Sequence, residues 1–89
     1  MELNNVNTTN QGPVFFHISY DYCIKGTLMA DEGNLEEALE NFNKAIETDP
    51  NNHIAYYNRA TIRVDLGDIE GARNDFRIFD LIRSKPLRK

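Results

Sequence analysis

The sequence has one cysteine, Cys23, two histidines, and no apolar run long enough to cross a bilayer. A lone thiol cannot close an internal disulfide, so nothing marks an oxidising compartment and the cytoplasm is the expected setting. A membrane span needs roughly 20 consecutive apolar residues, and none is present. The opening MELNNVNTTNQGP has neither a basic region nor an apolar core, so no secretory signal is legible in it. Signs of chemistry are equally sparse. The five glycines stand singly, which excludes a glycine-rich phosphate loop. Cys23, His17 and His53 lack the spacing of zinc ligands, and no acid is placed to orient either histidine as a base toward the thiol. Glu36, Glu37 and Glu40 fall at a helix start, where the dipole favours anions without any metal. The expectation is a chain with no catalytic residues, no metal and no cofactor.

What is present describes an ordinary soluble domain. Of the 89 residues, 40% are hydrophobic and 27% charged, a composition that supports one small core. The net charge of −4 conceals a gradient: residues 1–52 sum to −7 and residues 53–89 to +3. Such a gradient can orient a partner or a second copy. Arg73, Arg77, Arg83, Lys85, Arg88 and Lys89 make the C-terminal end basic, the one feature that would suit a nucleic-acid-associated adaptor. Asp75 and Asp80 interrupt that basic face and the chain is acidic overall, so nucleic acid is not the expected partner.

Residues 1–16 read as a disordered or lead-in segment: four of the first ten are asparagine, and Gly12–Pro13 is a turn signal. VFFHISY then restores apolar weight as the approach to a helix. From there the periodicity is helical throughout. Leu35, Ala38, Leu39, Phe42, Ala45 and Ile46 make one apolar stripe, with Asn34 and Glu37 at capping-box spacing before it. Pro50 forbids continuation of that helix, and Gly33 and Gly67 supply turns. The expected elements are four helices at about 17–32, 35–48, 53–66 and 69–83, an all-α fold of antiparallel hairpins.

The chain also matches itself at a shift of 34 residues. Tyr22 falls on Tyr56, Thr27 on Thr61, Asp31 on Asp65, Gly33 on Gly67, Ala38 on Ala72 and Phe42 on Phe76. Lys25 meets Arg59, and Leu35 meets Ile69. Small residues at Gly26, Ala38, Ala60 and Ala72 would allow close helix crossing, with Tyr22 and Phe42 filling the gaps. This pattern resembles the tetratricopeptide repeat, a helix–turn–helix unit, in two copies spanning 19–52 and 53–86.

The resemblance implies an α-solenoid fragment that binds protein and lacks enzymatic activity. In that family the first helix of each unit lines a concave groove for an extended peptide or a partner's helix. The matching positions here are Tyr20, Cys23, Thr27, Asp31, Tyr57, Asn58, Thr61 and Asp65. A clamp for chaperone tails is not implied: Asn58 fits it, but Cys23 and Thr27 stand where lysine and asparagine are needed. The second unit departs from the pattern at Phe79, where alanine is usual, and at Ser84. Its last helix is apolar on more than one face, through Phe76, Ile78, Phe79, Leu81 and Ile82. Two units with such a flank imply a cover, and the expected cover is a second copy in a two-fold homodimer. Homo-oligomeric assembly with no peptide ligand is the competing role.

Overall fold

The computed structural model describes the backbone of residues 11–84 and the side chains of residues 14–84. Among the described residues there are four α-helices: α1 (Gln11–Asp31), α2 (Leu35–Thr48), α3 (His53–Leu66) and α4 (Ile69–Arg83). Helices α1 and α2 form one antiparallel hairpin, α3 and α4 a second, and α2 lies against α3 to join them. Among the described residues the fold is all-α, with no strand.

Three of the four helices fall where the sequence placed them. The exception is α1, which starts at Gln11, six residues before the expected 17. Gly12 and Pro13 sit in its first turn, where backbone N–H groups have no intrahelical acceptor and proline removes nothing. VFFHI therefore neither forms a strand nor folds back over α4; it continues α1. Of the segment read as disordered or lead-in, residues 1–10 lie outside the described residues.

The two hairpin turns are alike. Gly33 and Gly67 take φ of 86° and 88°, a left-handed conformation that only glycine adopts freely. Asn34 N–H donates to Met29 O and Gly33 N–H to Ala30 O; Asp68 N–H donates to Arg63 O and Gly67 N–H to Val64 O. These are paired Schellman closures. They also explain why the capping box at Asn34–Glu37 does not form. The Asn34 N–H that Glu37 would accept is already spent on Met29, and the Asn34 side chain caps nothing in α2. Asp68 does cap α4, its Oδ1 accepting from Gly71 N–H at 2.9 Å.

The core lies mostly between the first hairpin and α3: Cys23, Ala38, Phe42, Ala45, Ala55 and Ile62. Gly26 makes it possible. A Cβ there would stand 2.5 Å from Phe42 Cε1, so the bare backbone of α1 is what lets the ring edge come up against it. Helix α4 contributes little apolar burial; only Ala72 and Asp75 are fully covered in it.

Candidate functional site

One face of the array is built from α1 and α3. Tyr20, Cys23, Thr27 and Asn58 line a cleft of about 260 Å³ with Ile24, Leu28 and Ile54. Thr27, Asp31, Asn58, Thr61 and Asp65 border a second opening of about 290 Å³ that reaches down to Phe42. Tyr57 and Asn58 border a third, of about 400 Å³, with His53, Phe79 and Arg83. The eight positions named from the sequence thus border three openings, and Asn58 belongs to all three.

They are not equally accessible. Tyr20 and Tyr57 are exposed, at 42% and 45%. Thr27, Asp31 and Asp65 are exposed, and Asn58 and Thr61 are half-buried. Cys23 differs: at 2% exposure it belongs to the core and only floors the cleft. Its counterpart at the 34-residue shift is Tyr57. Helix α3 covers the first position, whereas the second is covered only in part, by Phe76 and Phe79 of α4.

A buried polar knot that sequence reading passed over holds this region. The Asn52 amide donates to Ser19 Oγ at 2.8 Å and to Cys23 Sγ at 3.6 Å, and its Oδ1 accepts from Ile54 N–H at 3.1 Å. Ser19 Oγ donates to Ala45 O at 2.6 Å. Ser19 is 0% and Asn52 1% exposed, so each group needs these partners. The knot ties α1, the end of α2 and the start of α3 together. The available signal was an asparagine immediately before an apolar helical run, the N-cap position.

Burial pushes the Cys23 thiol up to about 11 from its ordinary 9.0, against the smaller opposing effect of the Asn52 hydrogen bond. Burial likewise raises Tyr56. A raised folded-state pKa stabilises the fold below the unfolded value and loses that stabilisation as pH rises through the folded value. Stability should therefore fall between pH 9 and 11, by ~2 kcal/mol for the thiol if it behaves as a single independent group. Chemical denaturation of the wild type and Cys23→Ala across that range checks it. The alanine variant should show the shallower decline, leaving Tyr56 as a residual contributor. The protonated, covered thiol should also resist alkylation at pH 8 until the chain unfolds.

The last helix is partly covered by its own chain. Phe76 and Phe79 are half-buried, turned against α3: their rings lie 5.4 and 5.1 Å from Tyr57. His53 packs 5.6 Å from Phe79, and the Arg83 guanidinium lies 5.1 Å from that ring. Ile78 and Ile82 are half-buried, and only Leu81, at 60%, is fully exposed. Phe79, standing where the first unit has Ala45, folds over Tyr57 and covers part of the flank. Among the described residues, seven of the twelve exposed large apolar side chains lie on α1: Val14, Phe15, Phe16, Ile18, Tyr20, Ile24 and Leu28.

A second cluster went unread in the sequence. Asp75, 0% exposed, accepts from Arg59 Nε at 2.9 Å, Arg59 Nη2 at 2.8 Å and Arg63 Nη1 at 2.9 Å. Arg59 Nη1 also donates to Asn43 Oδ1 at 2.8 Å, carrying the network to α2. Among the described residues no group of histidine, cysteine and acids could hold a metal ion, and no helix is long and apolar enough to cross a membrane.

Comparison with known proteins agrees with the hairpin repeat. The TPR repeat family model matches residues 26–67. An uncharacterized protein of Methanocaldococcus jannaschii is 44% identical over 55 residues, 62% of this chain and 64% of that protein. DnaJ homolog subfamily C member 3 of Rattus norvegicus is 39% identical over 57 residues, 63% of this chain and 11% of that protein. Tetratricopeptide repeat protein 36 of Danio rerio is 42% identical over 55 residues, 62% of this chain and 29% of that protein. The chain thus spans about a tenth of the DnaJ relatives it matches.

Proposed function

Because the chain belongs to the tetratricopeptide-repeat family, we propose that it acts by binding protein, holding an extended peptide or a partner's helix across α1 and α3. The observation that carries this is the position of Asn58, the one residue common to all three openings of that face. A side-chain amide can donate and accept at once, so it can hold the N–H and C=O of a main chain whatever its sequence. Tyr20 and Tyr57 add rigid aromatic surface at little entropic cost. Ile24, Leu28 and Ile54 give apolar side chains of a ligand somewhere to go.

The test is quantitative. A partner captured by the immobilised chain is purified and titrated by calorimetry against wild type and against Tyr57→Ala/Asn58→Ala. Loss of two such contacts should weaken binding about 100-fold, at 1–2 kcal/mol each. Unchanged affinity with the helical spectrum intact would rule out the groove.

The same reading includes association of copies through α4, where Leu81 is exposed between half-buried Phe76, Ile78, Phe79 and Ile82. Phe79→Glu/Ile82→Glu should then lower the molar mass seen by light scattering.

A further inference from the structure

We infer that α1 carries a second self-association face, on which two copies meet antiparallel about a two-fold axis, independently of α4. Val14, Ile18, Asp21, Lys25 and Leu28 follow one another at intervals of four, three, four and three, which sets them on one side of the helix. All five are exposed, the three apolar ones at 46%, 43% and 54%. The counterparts of the last four at the 34-residue shift are Asn52, Ala55, Arg59 and Ile62. Asn52, Ala55 and Ile62 are 1%, 0% and 4% exposed, because this side of α3 packs on the first hairpin. In α1 the same side is exposed, with only Leu28 reaching the edge of the cleft against α3.

The charges say what fits it. An antiparallel pairing centred at the level of residue 23 sets Asp21 opposite Lys25 of the partner subunit and Ile18 opposite Leu28 of the partner subunit. The two-fold axis makes each match twice. Between residues 18 and 28 the face is thus its own complement, in charge and in apolar content together. A continuation of the repeat stack, with α1 of one copy seated on α4 of the next, fits worse. It would place Asp21 where Ala55 is buried, and it would meet Phe79 where α3 meets Ala45.

The experiment is charge exchange, read by multi-angle light scattering and sedimentation velocity on the full chain. Asp21→Lys leaves only lysines at the two matched positions, and Lys25→Asp leaves only aspartates. Each alone should weaken association about tenfold or more. Their equimolar mixture, and the double exchange Asp21→Lys/Lys25→Asp, should restore it. Exposed charges cannot show this rescue through folding effects alone. In the Phe79→Glu/Ile82→Glu background, which removes the α4 contact, the exchange-sensitive association should remain, and Ile18→Glu added there should abolish it. A wild type that stays monomeric overturns the inference, as does association that survives Ile18→Glu in that background, or exchange variants without rescue. If association is lost only on changing Phe79 and Ile82, the α4 reading stands and this one falls. Groove binding is measured separately, and Ile18→Glu leaves every residue lining the groove in place.

Discussion

Asp75→Ala should be close to unfolding the chain, with a loss of about 3–5 kcal/mol by urea denaturation, the range for breaking one side of a buried ion pair. The effect comes from what is left behind. Arg59 and Arg63 have side chains only 16% and 23% exposed, and both aim at the Asp75 carboxylate. Without it, two guanidinium groups keep their desolvation and lose their acceptor. The second hairpin has little else to rely on, since α4 buries only Ala72 beside Asp75. Against a total stability of roughly 5 kcal/mol for a domain this small, such a loss leaves little folded protein. Asp75→Asn preserves shape and one acceptor and should cost less. Arg63→Ala should be milder still, because Asp75 then keeps both hydrogen bonds from Arg59. If Asp75→Ala melts within a few degrees of wild type, the ion pair is incidental to the fold.

The contrast between the hairpins explains what was legible in the sequence and what was not. Helix boundaries from Leu35 onward follow from local signals: Pro50, the two glycines and the apolar stripe each act within a turn of where they stand. The Asp75 network does not follow from such signals. The 34-residue counterparts of Arg59, Arg63 and Asp75 are Lys25, Met29 and Asn41, so self-similarity hides it. Asn41 spends its amide on Glu37 O, one turn back in its own helix. Charges at 59, 63 and 75 look like solvated surface until two helices bring them together. The groove positions were reachable through the repeat, but their exposure was not. Cys23 and Tyr57 occupy one position of the pattern, and only the stacking order decides that one is 2% and the other 45% exposed. The same holds for α1. Its apolar residues run around most of the helix, and periodicity alone does not say which side a neighbour covers.

Phe42→Ala and Phe76→Ala should separate the two units by cost, although the residues are the same repeat position. Phe42 is 1% exposed, and its ring edge lies against the bare backbone at Gly26. Removing it opens a cavity that rigid helix backbones cannot close, and the expected loss is about 3–5 kcal/mol. Phe76 is half-buried against Tyr57, and its site can relax into solvent, so about 1–2 kcal/mol is expected there, from area alone. Gly26→Ala supplies the cross-check. Its methyl would overlap the Phe42 ring, an overpacking cost of about 1–3 kcal/mol in the wild-type background. In the Phe42→Ala background the same methyl enters the vacated space and should cost nothing or stabilise. The coupling energy of that cycle should therefore be large and favourable, since the two sites share one volume. Additive losses would mean that the helices shift apart to admit the methyl. Equal losses at Phe42 and Phe76 would mean that the flank of α4 is covered in solution, and the comparison thereby reports on self-association as well as on packing.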